Sequence, residues 1–346
     1  MRQVQVLPGR NLTMEYCKMA AAMFVVFIHA PFPGGAGTLV MALGRFAVPM
    51  FFAITGYFNF GADSCQVARR LWHIVRLFAS TLILYVLWNC WMEGLRGCQE
   101  IMNYVIPDLS HLFSFLILHV HPYPRSEHLW YLIALMAVYC LFWLYTRFYE
   151  DGKVSYRCLY IGGFVLFTVY ALCTVVLPMD SVDIPYRSYR NGWFSGIPMF
   201  AMGVFLHEYQ ERILERFRVS APKLLSLIVF GFLLTAAQWK SNLATDMPIG
   251  ILVSVPAILL FCIRYPRLPF SPAWVDWIAG KLGSISTTVY LIHVMVYFTI
   301  VERFPFFSAA HPWALPWLVL LISLGLAVLW EELLTLRKGI KKPVTV

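Results

Sequence analysis

Three ionisable side chains stand in one apolar run, Leu12-Thr-Met-Glu15-Tyr-Cys-Lys18-Met-Ala-Ala-Ala-Met-Phe-Val-Val-Phe-Ile-His29. Inside a membrane such groups are costly unless they face a cavity or a partner, so they are where chemistry is sought first. Lys18 and His29 are eleven residues apart. On a helix that is about three turns with roughly 20° of drift, so both project from one stripe, about 16 Å apart along the axis. A neutral imidazole is the side chain whose ordinary pKa suits deprotonation of a hydroxyl near pH 7. His29 is therefore the candidate general base, and Lys18 and Glu15 complete the candidate catalytic set. A plainer reading stands beside it, in which Lys18 and His29 snorkel to opposite headgroup layers. Pro31 and Pro33 must end the helix just past His29, which places His29 and Glu15 near opposite faces of the bilayer.

Other polar residues in apolar surroundings extend the list. Arg45 is always charged and needs an acidic, carbonyl or water partner, so it is expected at a cavity rim, whereas Pro49 and Gly56 read as packing features. Arg69, Arg70, His73 and Arg76 recur at helical spacing. They suit either anionic headgroups or the phosphates of a cytoplasmic donor. Glu127 and His128, beside Trp130 and Tyr131, are placed to orient a polar substrate from outside. The irregular spacing of His119, His121 and His128 argues against a metal site. Tyr290 and His293 share a helix face with Ser286, and a buried, satisfied histidine is the competing reading of His293. Eight cysteines show no metal-ligand spacing, and pairing of Cys90 with Cys98 is a weak option.

Helices must position these groups. Hydrophobic residues make up 60% of the 346 positions and charged ones 13%, so the apolar surface cannot all face inward and the solvent is largely lipid. Lipid demands internally satisfied backbone, and long runs without alternation select helices over a barrel. The expectation is an all-α transmembrane bundle of about ten spans: Met14 to Ala30, Leu39 to Phe60, Ile74 to Trp91, Glu127 to Thr146, Leu159 to Leu177, Asn191 to His207, Leu224 to Trp239, Met247 to Ile263, Ser284 to Val301 and Trp313 to Leu333. The stretch Asn103 to Val120, broken by Pro107 and Asp108, reads as a re-entrant or interfacial helix. Glu15 and Lys18 argue that the first run is a retained helix and not a cleaved signal.

The net charge of +9 follows the positive-inside rule and does not point to nucleic acid. With both termini cytoplasmic, nineteen of the twenty-seven Lys and Arg fall on the inner side, from Arg2 and Arg10 through Arg147, Lys153 and Arg157 to Lys341 and Lys342. Outer segments hold few, among them Arg96, Arg125 and Arg187. No repeat or long linker appears, so residues 1–346 read as one membrane-embedded domain with no attached soluble catalytic domain.

Four segments together resemble the bacterial membrane-bound acyltransferase-3 family. Lys18 and His29 match its Arg/Lys-x10-His element, with Arg10 and Glu15 upstream. The run Val48-Pro49-Met-Phe51-Phe52-Ala-Ile-Thr55-Gly56 is similar to its V-P-x-F-F-x-x-S-G segment. His128-Leu-Trp130-Tyr131 matches its H-L-W-F/Y element, and Tyr290-Leu-Ile-His293 resembles its late Y-L-x-H element. One departure stands out, because His73-x-x-Arg76 occupies the register of the family's Arg-x-x-Arg, which is associated with the donor. The resemblance implies a multi-pass protein of the bacterial cytoplasmic (inner) membrane. It implies transfer of an acyl group, usually acetyl, from cytoplasmic acyl-CoA to a hydroxyl of a cell-surface glycan or small molecule, with no bound cofactor besides the acetyl-CoA substrate. On that basis Arg69, Arg70, His73 and Arg76 are expected at the donor and Arg45, Glu127, His128, Tyr290 and His293 on the acceptor or supporting side. The alternatives are a solute transporter or flippase, and an amino-acid-binding sensor built on the same fold.

Overall fold

The computed structural model describes residues 10–94, 109–120, 123–148, 155–176, 190–241, 247–268 and 272–340. Arg2, Arg96, Cys98, Asn103, Pro107, Asp108, His121, Lys153, Leu177, Arg187, Lys341 and Lys342, all named above, lie outside the described residues. Among the described residues every regular element is helical. In chain order these are α1 (Leu12–His29), α2 (Gly34–Gly44), α3 (Ala47–Tyr57), α4 (Ser64–Glu93), α5 (Leu109–Phe113), α6 (Trp130–Phe148), α7 (Arg157–Ala171), α8 (Ile197–Arg216), α9 (Ala221–Lys240), α10 (Ile251–Arg264), α11 (Ala273–Arg303), α12 (Pro305–Ala310) and α13 (Leu315–Ile340). Single π-helical turns follow α5 and α7 and precede α8.

Eight helical stretches among the described residues are long and apolar enough to cross a bilayer. They include seven of the ten expected spans directly, plus Gly34–Tyr57, in which α2 and α3 together occupy the expected second span. The two remaining expectations differ for local reasons. The span expected from Met247 to Ile263 is the shorter helix α10. That expected from Asn191 to His207 begins as a π-helical turn, Gly192–Gly196, and continues as α8, whose second half is charged.

The chain forms two compact units, one from the residues up to Gly44 together with those from Tyr265 onward, the other from Arg45–Arg264. In the first, α1 packs along α11, and α11 along α13. Ala21 and Ala22 are wholly buried, and their small side chains let the helix backbones approach, as packing in lipid requires. Val26, Phe27, Val289, Val296, Val319 and Leu320 join in one apolar core. Asn11 caps α1, its side chain accepting from Met14 N at 2.9 Å, and Pro31 and Pro33 prevent continuation past His29.

In the second unit α3 lies against α8, α4 against α6, and α9 against α10. Asp63 caps α4 by accepting from Gln66 N, and Gly94, at φ +61°, closes it. One stripe of α4 is exposed from Trp72 through Ile83 and Leu87 to Trp91. At the helical rise those two tryptophans are about 29 Å apart, close to the thickness of a bilayer's hydrocarbon core. The α3–α8 seam is made by bare backbone. A Cβ on Gly56 would lie 2.0 Å from Phe200 O, and one on Gly203 would lie 1.9 Å from Ala53 O. Because lipid tails compete equally for apolar side chains, this close fit supplies association that hydrophobic burial does not.

Gly203→Ala is therefore expected to destabilise the solubilised protein by about 2 to 3 kcal/mol through overpacking. Gly162→Ala, where the added Cβ meets nothing within 4 Å, should be neutral. Thermal unfolding in detergent reads both, and equal midpoints would contradict the seam.

Candidate active site

The first unit gathers the predicted residues into two centres. At the end of α1 His29 is half-buried, and its ring centroid lies 5.2 Å from that of His293, with the planes at 55°. His293 is fully buried on α11, beside the ring of Tyr290 at 6.1 Å. Its Nδ1 is 2.6 Å from the carbonyl oxygen of Tyr290, a contact that only an N–H can make, so Nδ1 donates. Ser286 and Tyr290 are buried on the same face of α11. Each residue is where the helical spacing of the sequence puts it. What the spacing did not contain is that α11 turns that face toward the end of α1.

The second centre lies near the start of α1. Glu15 is buried, and one carboxylate oxygen accepts from Lys18 Nζ at 3.2 Å and from Arg10 Nε at 3.3 Å. Arg10 also donates to Gly280 O at 3.0 Å, and Tyr16 OH donates to Val275 O at 2.6 Å. Glu15 rests on the backbone of Gly283, where a Cβ would fall 1.7 Å from Oε2 and 2.8 Å from the Glu15 Cβ. One carboxylate shared by two cations leaves a single net positive charge. Further along α11, Lys281 pairs with Glu332 at 2.9 Å and Ser284 donates to Glu331 at 2.7 Å. The predicted catalytic set thus divides: Glu15 and Lys18 meet each other, while His29 sits about 16 Å along the same helix.

The second unit holds the other candidates. Arg45 lies in the turn between α2 and α3, with its guanidinium 5.2 Å from the centre of the Trp239 ring. Of the four expected donor residues, Arg70 points inward, donating to Phe58 O at 2.8 Å and Asn59 Oδ1 at 2.7 Å, and so caps the end of α3. Asn59 in turn donates to Tyr139 OH. Arg69, His73 and Arg76 are exposed on the same face of α4 as Trp72. Glu127 is exposed in the 3-10 turn that leads into α6, whereas His128 is buried with Nε2 3.3 Å from Tyr85 OH. The structure therefore separates the adjacent pair that the sequence treated together.

One arrangement had no signal in the sequence. His119 adopts a left-handed conformation (φ +57°) at the end of a π-helical turn, and its Nδ1 accepts from Gly192 N at 2.9 Å. The proton must then sit on Nε2, which is buried and has no hydrogen-bond partner among the described residues. Burial pushes the imidazole pKa down to about 4. At the other end of α4, Arg125 is ion-paired with Glu93 and donates to Asn89 Oδ1 at 3.0 Å.

A helical bundle with ionisable groups held between apolar helices defines a polytopic membrane protein. The family model described as an acyltransferase domain matches residues 11–332, and the chain belongs to the acyltransferase-3 family. A curated serine/alanine racemase of Enterococcus gallinarum is 23% identical over 307 residues, covering 82% of this chain and 40% of that protein. The chain thus spans less than half the length of that relative. No solved structure matches it.

Two measurements test the geometry. Gly283→Ala should dislodge Glu15 and lower the unfolding midpoint by the equivalent of about 1 to 3 kcal/mol, while Gly162→Ala should not. A neutral His119 contributes stability that is complete above its unfolded pKa of about 6.5 and is lost as pH falls from there toward 4. Unfolding midpoints should therefore fall between pH 7 and pH 5 more in the wild type than in His119→Asn, which tolerates the left-handed backbone. Parallel pH profiles would show that His119 carries none of the dependence.

Proposed function

We propose that this chain is a membrane O-acyltransferase of the bacterial cytoplasmic membrane. It moves an acetyl group from cytoplasmic acetyl-CoA to a hydroxyl of a cell-surface glycan or small molecule. The observation that carries this reading is the His29–His293 ring pair at 5.2 Å in a chain of the acyltransferase-3 family.

His29 removes the proton of the acceptor hydroxyl as that oxygen attacks the thioester carbonyl carbon. The C–O bond forms, the C–S bond breaks, and the coenzyme A thiolate leaves and is reprotonated. His293, held by Tyr290 O, fixes the wall against which the His29 ring lies. The surplus positive charge of Arg10 and Lys18 around Glu15 suits the donor's phosphates. In the other unit the exposed Arg69, His73 and Arg76 form a cationic surface of their own.

A second reading has one finding in its favour. The racemase that covers most of this chain is named for serine and alanine, so an amino-acid-binding or transporting module of the same fold is the rival.

The test uses purified protein in nanodiscs with radiolabelled acetyl-CoA and cell-envelope glycan. Wild type should transfer label, and His29→Ala should lose about a hundredfold or more in rate, the usual contribution of a general base. His293→Gln should fall between them. Transfer undiminished in His29→Ala would refute the assigned role. No transfer by the wild type, together with saturable serine or alanine binding, would establish the rival.

A further inference from the structure

Helix α4 has one buried side and one exposed side. Val67, Phe78, Tyr85 and Trp88 are buried, and the helix packs on α6. On the other side Arg69, His73 and Arg76 fall within the same arc of about 100° as Trp72, Leu87 and Trp91. Those last three side chains are each more than half exposed and run nearly the length of the helix. The exposed side of a helix long and apolar enough to cross a bilayer is the side that meets lipid tails. Its cations are gathered at one end.

No carboxylate of the helix opposes them. From Ser64 to Met92 the chain holds neither Asp nor Glu. Asp63, just before, accepts from Gln66 N, and Glu93, at the far end, is paired with Arg125. Arg70, the fourth cation, turns to the buried side and holds Phe58 O and Asn59. Arg69, His73 and Arg76 are exposed and hold no fixed acceptor among the described residues. Trp72 stands between the two arginines, which are about 11 Å apart along the axis. An indole on the lipid-facing side near a helix end sits at headgroup level. The guanidinium groups are thereby at the depth of lipid phosphates, with the Arg76 stem free to extend along the apolar surface.

We propose that Arg69, His73 and Arg76 hold the headgroup of an anionic phospholipid in the leaflet at the start of α4. The phosphate sits between the two guanidinium forks, His73 adds an N–H donor, and an acyl chain lies along Ile83 toward Leu87. Two features name the occupant. The charge on this side of the helix is of one sign, and its apolar continuation is the lipid-facing surface of a spanning helix, so a bilayer lipid always lies beside the cations while a soluble phosphate must displace it. Spacing alone leaves headgroup and donor phosphate open; the side of α4 on which the residues stand selects the headgroup. This binding is independent of the acyl-transfer reading, whose base stands in the other unit.

Native mass spectrometry of protein released from nanodiscs of equal parts phosphatidylglycerol and phosphatidylcholine tests it. Both lipids carry a phosphate but only the first is a net anion, so the ratio retained reads recognition of charge. Wild type should retain phosphatidylglycerol in preference. Arg69→Gln/Arg76→Gln should cut that preference by about 25-fold, two cations at about fivefold each. Arg69→Lys/Arg76→Lys should keep most of it, which separates lost charge from lost fold. Saturating coenzyme A should leave the retained phosphatidylglycerol unchanged. Equal retention of the two lipids by wild type would overturn the proposal, as would an undiminished preference in the Gln pair. Displacement of the lipid by coenzyme A would also overturn it and would give these cations to the donor.

Discussion

The Glu15 carboxylate, buried against the bare backbone of Gly283, is the constraint around which the first unit is arranged. A carboxylate taken out of water needs compensating charge and hydrogen bonds, and losing a partner costs several kcal/mol. Two cations supply the charge. Lys18 comes from the next turn of the same helix, and Arg10 reaches back from the chain just before it while bonding Gly280 O of α11. The ion cluster therefore also sets the register of α1 against α11. Once that register is set, the rest of the α1–α11 seam follows with helical geometry, Ala21 and Ala22 in the middle and His29 beside His293 at the far end. The same two helices carry a charged centre and an imidazole centre because a shift along the seam would disturb both.

That coupling bears on the chemistry. The general base proposed here must meet its substrate within hydrogen-bond reach in a fixed orientation, and His29 is the last helical residue before a proline-rich turn, where a helix frays most easily. Phe32 restrains the turn, packing on Phe27 at 5.1 Å and on Trp317 at 5.7 Å. The His29 ring is thus located from two directions, by His293 on α11 and by the aromatic cluster that ties the turn to α13. Lys18 cannot act on the same atom as His29 at about 16 Å along the axis. Its contact is with Glu15.

Fold class was legible because the physical demand is coarse. A chain 60% hydrophobic and 13% charged in long unalternating runs has helices as its solution in lipid. Span limits were less so. The α8 segment begins apolar and ends charged, and hydropathy alone cannot say whether the helix stops at the change; here it runs through to Arg216. At the site, periodicity placed Lys18 and His29, or Tyr290 and His293, correctly on their own helices. It could not say which helix faces which, so the meeting of His29 with His293 was invisible. Nor could it separate neighbours: Arg69 and Arg70 look alike in sequence, yet Arg70 turns in to hold the end of α3 and Arg69 turns out. Gly283 carried no signal, and His119 was noticed only as one of a histidine cluster, because their roles depend on backbone approach between segments far apart in the chain.

The division of the arginines shows how a bundle this poor in charge uses what it has. Three guanidinium groups meet fixed acceptors: Arg70 on Phe58 O and Asn59, Arg125 on Glu93 and Asn89, Arg10 on Glu15 and Gly280 O. These are structural commitments, since each ties segments distant in the chain and, at Arg10, satisfies a buried carboxylate. Others, Arg69 and Arg76 on α4 and Arg212 and Arg216 on α8, are exposed and hold no fixed backbone acceptor among the described residues. A guanidinium group on the outer surface can exchange partners without disturbing the fold. Substitution of the first group therefore reports on folding before it reports on function, and substitution of the second does not.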